Sequence, residues 1–477
     1  MSRHGAPIVE VVPPERWRGA CAGAMDGGAC FLSLHATADG PAATVHALFD
    51  GGAPRLRLLS TTAPERSLDT LVETIPAAAW DEREAHDLLG IEFRGHEPMR
   101  PLVDHPDATE AWTVPVHGDD VHQVAVGPIH AGIIESGHFR FHVVGERIVH
   151  LDAQLFYKHR GLERAAEGKS LEAGVAYAQR ACGACAVANC IAYAQACEAL
   201  LGLLPDPELR RARTLLLELE RLYNHVNDLS AICAGIGFAP GAMAFATLKE
   251  RAQRLNANLV GHRFLFDTVR VARSDLTVAE PAARAARTAV RAICAEAAAT
   301  SREVAFSASV QDRVAGIGVL EKADAERLGA VGPAARASGV ARDARTRAGA
   351  RLWYGDDFRP AQPHAGTGDV AARAEMRADE LAQTAAVLDD LLGAPLQPGS
   401  APTGAVASNI GVGRVESSRG ETVCLVERTG CNVGRLRLRT ASYANWPALA
   451  NSVAGNLLPD FPLINKSFEL CYACVDR

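Results

Sequence analysis

Hydrophobic and polar positions change period several times along the chain, and each change marks an element. In ACFLSLHATADG (29–40) and AATVHALFDGGAPRLRLLSTT (42–62), strand-like runs end in Asp-Gly and Gly-Gly turn signals. Leu68, Leu71, Val72 and Ile75 share one face at helical spacing, which predicts a helix there. AAAWDEREAHDLLGIEFRGHEPMRPLVDH (77–105) is dense in charge for so apolar a stretch. The following residues lack any period and carry Pro106 and Pro115, which predicts a linker over 106–121. From 122 the pattern turns extended: HQVAVGPIHAG, then HFRFHVVGERIVHLDAQL, reads as a hairpin turning at Gly145. Helical periods dominate after that. Asp206-Pro207-Glu208 supplies a cap, a first-turn proline and an early acid, ahead of Leu215, Leu219, Leu222, Val226 and Leu229. The Ala/Arg-rich stretch 281–350, interrupted at VGPAARASG, predicts packed bundle helices. Residues 396–422 read as a Gly/Ser/Pro-rich irregular region before the last strands.

These elements predict an α+β fold. A small α/β domain over 1–105 and the linker precede a large, mainly α-helical bundle domain with peripheral β hairpins over 122–477. A length of 477 residues agrees with more than one domain, and 48 % hydrophobic content is enough for packed cores. No apolar run reaches ~18 residues, so no spanning helix is expected. MSRHGAPIVEVVPPERW has no apolar signal region. A net charge of −7 excludes a broad nucleic-acid footprint.

Cysteine changes the picture. Of the 12 cysteines, most are scattered singles whose ordinary reading is small buried apolar residues. Cys182/Cys185 and Cys471/Cys474 instead form two C-x-x-C pairs. In QRACGACAVANC, Gly183 permits a tight turn and an Ala-rich helix begins near Cys185, a setting that favours thiolate. Two such pairs can give four thiolates to a soft metal. Structural zinc is a competing reading, although zinc ribbons separate their pairs by ~15–20 residues. A thioredoxin-like redox pair is another, but neither pair has a surrounding βαβ pattern. Spacing alone leaves structural zinc, a redox disulfide and a catalytic metal open.

The segments around the pairs carry a resemblance. In chain order they are VGPIHAGIIESGHFRFHVVGE, LFYKHRGLERAAEGKS, QRACGACAVANCIAYAQACE, LLLELERLYNHVNDLS, VGPAARASGVARDAR, GDVAARAEMRADE, GRVESSRGE, YANWPALANSVAGN and CYACVDR. Residues 122–477 thereby resemble the large subunit of membrane-associated, energy-converting nickel–iron hydrogenases of the formate hydrogenlyase type. That class is related to the quinone-site catalytic subunit of respiratory complex I, the NADH dehydrogenase. Residues 65–105, with WDEREAHDLLGIEFRGHEP, resemble the small complex I subunit fused ahead of it.

The resemblance implies an oxidoreductase that interconverts hydrogen with protons and electrons. Cys182 and Cys471 would be terminal ligands to nickel, and Cys185 and Cys474 would bridge nickel and an iron carrying carbon monoxide and cyanide. Arg419 matches the arginine over the open metal site, Glu135 the proton-transfer glutamate, and His130 lies in the same turn region and could line the site. No further cysteine cluster could hold an iron–sulfur relay, so electrons would leave through a small iron–sulfur subunit, with ferredoxin-like and membrane ion-pumping subunits beyond it. The implied location is peripheral, on the cytoplasmic face of the cell membrane. The chain departs from the family pattern in places: Glu469-Leu470 replaces Asp-Pro, Ser418 and Ser136 each replace a proline, and GHRFLFDTVRVARSDL lacks the Gly-Gly usual near that point. A complex I-like electron-transfer or structural module that has lost hydrogenase activity is the alternative.

Overall fold

Alternation between residues 30 and 63 builds an N-terminal sheet whose strands run, in spatial order, Ile8–Val11, Arg57–Ala63, Ala42–Asp50 and Cys30–Asp39. The first pair is parallel and the others antiparallel. The computed structural model describes residues 7–52, 56–130, 135–347, 351–355, 358–363, 366–402 and 408–477. Inward-facing Val45, Phe49 and Leu59 pack with Trp17 of the helix Trp17–Asp26 and with Leu68, Leu71 and Ile75. The helix expected around 68–75 does not form. Ser67–Asp69 is a short strand paired with Glu92–Arg94, followed by a turn and the 3-10 turn Pro76–Ala78. The buried Glu82 carboxylate accepts from the Thr70 hydroxyl and the Leu71 N–H, both at 2.6 Å, and a single turn follows in which the Thr74 and Ile75 N–H groups donate to the Leu71 carbonyl before Pro76. The leucines are buried as expected, on a different backbone.

Residues 104–120 contain one 3-10 turn, Thr109–Ala111, and they pack: Trp112 is buried and the Val114 N–H donates to Asp152. The expected hairpin is three-stranded, Val121–Val126, His138–Val144 and Arg147–Gln154, with Gly145 at positive φ in the second turn. Helices Leu171–Arg180, Ala186–Leu201, Pro207–Gly235, Ala239–Val260, Glu280–Phe306 and Val370–Leu391 form the body. Asp206 caps Pro207–Gly235 by accepting from the Leu209 N–H at 2.8 Å. Within 396–422, read as irregular, residues 403–407 lie outside the described residues, and Ile410–Ser417 is a strand. It pairs antiparallel with Gly420–Thr429, which pairs with Asn432–Arg439. Gly411 and Gly413 misled the reading because they serve packing: a Cβ at either would lie 2.0 Å from the Ala196 carbonyl oxygen or 1.8 Å from that of Ala192. The helix Ala186–Leu201 is therefore seated directly on the strand.

The N-terminal sheet packs on this C-terminal sheet through Leu32, Leu48 and Leu58 against Val412, Val423 and Leu425. Beside them His35 and His46 stack with ring centroids 5.8 Å apart, and His35 Nε2 lies 2.7 Å from Glu427. Among the described residues no helix is long and apolar enough to cross a membrane.

Two outcomes follow from this packing. Gly413→Ala drives a methyl group into the Ala192 carbonyl and should cost about 2–3 kcal/mol or more, read as a lowered denaturant midpoint. Burial lowers the pKa of His35 and brings that of His46 to about 4. The unfolded chain takes up these protons near pH ~6.5, before the folded chain does, so the stability they confer is complete above that pH. It is lost as pH falls toward 4. His46→Leu should flatten that part of a stability–pH profile by on the order of 2 kcal/mol; an unchanged slope in the variant would refute this.

Candidate metal centre

The first cysteine pair sits where helix Leu171–Arg180 ends and Ala186–Leu201 begins, with Cys185 at the N-cap. Helix Pro207–Gly235 holds the intervening loop. Asn224 Nδ2 donates to the Ala184 carbonyl at 2.8 Å, and the Tyr223 hydroxyl lies 3.4 Å from the Gly183 and Ala184 carbonyls. One turn earlier Glu220 accepts from the Val187 and Ala188 N–H groups at 2.7 and 3.0 Å, capping the helix that follows Cys185. Burial nonetheless pushes the Glu220 carboxyl up to about 8.

The second pair lies on the terminal turn Tyr472–Asp476, with Cys471 at its N-cap. The Cys471 N–H donates to Ser442 Oγ at 3.0 Å, and the Thr440 hydroxyl donates to the Cys474 carbonyl at 3.1 Å. Glu469, in the left-handed region at φ 49°, turns the chain into this segment.

The two pairs converge. The sulfurs of Cys182, Cys185, Cys471 and Cys474 all lie within 4.8 Å of one another, and Cys185 Sγ is 3.8 Å from Cys471 Sγ. Cys182, Cys185 and Cys474 are buried and Cys471 is partly open. Hydrogen bonds from the other three thiols, aided by Arg419, hold Cys471 well below the ordinary thiol range. Among the described residues, no other group of His, Cys, Asp and Glu side chains is arranged to hold a metal. Four thiolates at these separations suit a soft metal.

One side of the cluster opens on a cavity of about 370 Å³, lined among others by Glu135, Cys182, Asn227, Arg419, Glu469 and Cys471. A closed structural site has no such opening. Arg419 is fixed at three nitrogens: Nε donates to the Glu469 carbonyl at 3.0 Å, Nη1 to Ser418 Oγ and Nη2 to Asp228, both at 2.9 Å. Burial works against its charge, but Asp228 and the cysteine sulfurs hold the guanidinium protonated. Glu135 stands at the rim, where Oε2 accepts from the Ala473 N–H at 2.6 Å rather than from a sulfur. Its pKa is raised, chiefly by desolvation and also by Cys471. His130 packs against the rings of Phe139 and Tyr472, at 5.6 and 6.4 Å, and is not among the residues lining the cavity. Residues 131–134, between His130 and Glu135 in the quoted motif, lie outside the described residues.

Sequence reasoning missed Asp228, Glu220, Asn224 and Glu469 as parts of this site. A signal existed for the first three. Glu220, Asn224 and Asp228 recur every four residues along a helix that also carries Leu219, Leu222, Tyr223, Val226 and Leu229, and all three are buried. A polar stripe on a buried helix face must find partners, and here the partners are the cysteine loop and Arg419.

Comparison with known proteins identifies the family. Residues 11–119 match the family "Respiratory-chain NADH dehydrogenase, 30 Kd subunit", and 235–408 with 399–477 match the 49 Kd subunit family. The chain is 31 % identical to formate hydrogenlyase subunit 5 of Escherichia coli (strain K12), covering 84 % of this chain and 76 % of the relative. It is 30 % identical to hydrogenase-4 component G of the same organism, over 87 % and 77 % of the two chains. A subunit in the structure of the membrane-bound sulfane sulfur reductase, an archaeal respiratory membrane complex, superposes with a TM-score of 0.69 at 25 % identity, covering 76 % of this chain and 100 % of that one. The chain belongs to the complex I-like family of oxidoreductases, as a fused 30 kDa/49 kDa-type subunit of the formate hydrogenlyase group of large subunits.

Proposed function

We propose that this protein is the catalytic subunit of a membrane-associated nickel–iron hydrogenase, interconverting hydrogen with protons and electrons. The observation that carries this reading is the four-sulfur cluster opening on a cavity walled by Arg419 and Glu135. Cys182, Cys185, Cys471 and Cys474 would hold nickel and iron, with Cys182 and Cys471 as ligands of the nickel and carbon monoxide and cyanide completing the iron. When bound, such a centre supplies Lewis acidity and redox change at a soft, thiolate-rich site.

The chain's own residues do the rest. Arg419 cannot give up its proton at ordinary pH, so it acts as a fixed positive charge that orients what enters the cavity. Asp228 and the Glu469 carbonyl hold its plane in place. A proton released at a terminal sulfur needs a base that can both accept and pass it on. Glu135 sits at the cavity rim with a raised pKa and serves as that relay. Residues 1–105 would form the small complex I-like domain and 106–121 the connection to the catalytic domain, 122–477. Electrons would pass to a small iron–sulfur subunit, with ferredoxin-like and ion-pumping membrane subunits beyond it, the whole attached to the inner face of the cell membrane. A second reading, a complex I-like module without hydrogenase activity, is favoured by the departures at Ser136, Ser418 and Glu469-Leu470 and by the likeness to the sulfane sulfur reductase.

Elemental analysis of the anaerobically purified protein separates the readings. The hydrogenase reading expects about one nickel and one iron per chain; zinc alone, or no metal, contradicts it. Cys471→Ser should remove both metals and hydrogen–deuterium exchange together, because a hydroxyl is a poor ligand for a soft metal. Glu135→Gln keeps size and metal content but removes the base, so exchange should fall at least about 100-fold. Undiminished exchange in that variant would take the relay away from Glu135.

A further inference from the structure

The terminal turn that carries Cys471 and Cys474 ends in Arg477, whose side chain is only 2 % exposed. It does not reach solvent or the metal cavity but turns the other way, into a buried group of carboxylates. Nε donates to Glu163 at 2.7 Å, Nη2 to Glu84 at 2.5 Å, and Nη1 to the Val475 carbonyl at 3.1 Å. The guanidinium also lies over the Tyr443 ring, 5.0 Å from its centre. Its backbone N–H closes the turn on the Ala473 carbonyl at 3.0 Å, so the side chain's position sets the rotation of the turn that bears both sulfurs.

Glu84 belongs to the helix Ala79–Leu89, which packs with the N-terminal sheet. Among the described hydrogen bonds made by residues 471–477, Glu84 is the one partner that precedes Glu135 in the chain. Glu84 is shared with Arg437, which donates to it at 2.6 Å and to Asp81 at 2.9 Å. Asp81 also accepts from Arg439 at 3.0 Å. Asp81 and Glu84 thus fasten the same helix to the same C-terminal sheet, but only Glu84 extends the contact to the tail.

We propose that Glu84 is a positioning residue for the terminal cysteine pair, acting through Arg477, so that the N-terminal part of the chain holds one half of the metal centre in place. The tail's other anchors, among them Glu163, Ser442, Thr440, His159, the Arg160 N–H and the Phe156 and Lys158 N–H groups that donate to Asp476, come from the large body. Removing Glu84 leaves a buried guanidinium with one carboxylate fewer, and the remedy open to it is for the turn that bears Arg477 to shift toward water. The first pair is held by Tyr223 and Asn224, and among the described residues Glu84 makes no contact with its loop. Its link to the turn runs through Arg160, whose N–H donates to the Arg477 carbonyl at 3.2 Å and whose guanidinium donates to the Arg180 and Ala181 carbonyls at 2.9 Å. The inference holds whichever soft metal the cluster takes, so it does not depend on the hydrogenase reading.

The test is site-resolved alkylation by iodoacetamide of the full-length, metal-free chain, followed by mass spectrometry. In Glu84→Gln, Cys471 and Cys474 should react about tenfold faster than in the parent, with Cys182 and Cys185 unchanged. Asp81→Asn, which loosens the same interface without touching Arg477, should leave all four rates alone. Arg477→Met should reproduce the selective acceleration, and adding Glu84→Gln to it should add nothing further to the Cys471 and Cys474 rates, since both remove the Glu84–Arg477 contact and the other partner of Glu84, Arg437, does not reach the tail. Equal acceleration of all four cysteines, the same effect from Asp81→Asn, an additive double variant or unchanged rates would each overturn the proposal.

Discussion

Four sulfurs and a guanidinium share one mostly buried pocket, and the rest of the structure serves to make that tolerable. Thiols crowded within 4.8 Å cannot all ionise without compensation, and Arg419 supplies fixed positive charge beside them. A buried guanidinium is costly unless its donors are taken up, which accounts for the three separate acceptors on Arg419. Two of those acceptors, Ser418 and the Glu469 carbonyl, lie beside the strand turn and the terminal turn that form the cavity wall. The third, Asp228, passes the requirement inward.

Asp228 also accepts from Arg377 at 3.0 Å, on the helix Val370–Leu391. Further along that helix Glu380 meets His225 at 2.8 Å and is clamped by Arg336, which also donates to Glu416 at 2.9 Å. Arg221 donates to the Glu416 and Ser417 carbonyls, immediately before Ser418 and Arg419. Helices Pro207–Gly235 and Val370–Leu391, the short helix Gly332–Ala337 and the strand Ile410–Ser417 are therefore tied by one buried ionic network, and Arg419 stands at its end. Breaking such a network by removing one partner costs far more than the network is worth as net stability, so its role is specification of geometry. The apolar core clusters bring these helices close; the ions fix how they are rotated.

Local chemistry was legible in the sequence wherever the cause was local. The Asp206-Pro207-Glu208 start appears where expected because capping involves neighbours in the chain. Both C-x-x-C pairs announced themselves by spacing. The helix expected at 68–75 is cut to a single turn because Ser67–Asp69 pairs as a strand with Glu92–Arg94, distant in the chain, and Pro76 follows Ile75. Gly411 and Gly413 look like loop residues until the helix seated against them is known. The four-residue spacing of Glu220, Asn224 and Asp228 marks a polar stripe, but nothing nearby in sequence shows that Arg419 and the Cys185 N-cap lie opposite it. Convergence of the two cysteine pairs is likewise a property of the whole fold: the helical body lies between them in the chain, and spacing alone could not bring them together.

The proposed nickel–iron pair differs from a single closed metal ion in one respect that can be read directly, the diatomic ligands on iron. Infrared spectroscopy of the anaerobically isolated protein tests it most directly, because carbon monoxide and cyanide bound to iron absorb where protein does not. The account predicts one carbon monoxide band and accompanying cyanide bands that vanish in Cys474→Ser. A protein that carries metal on these four cysteines yet shows no such bands would contradict it.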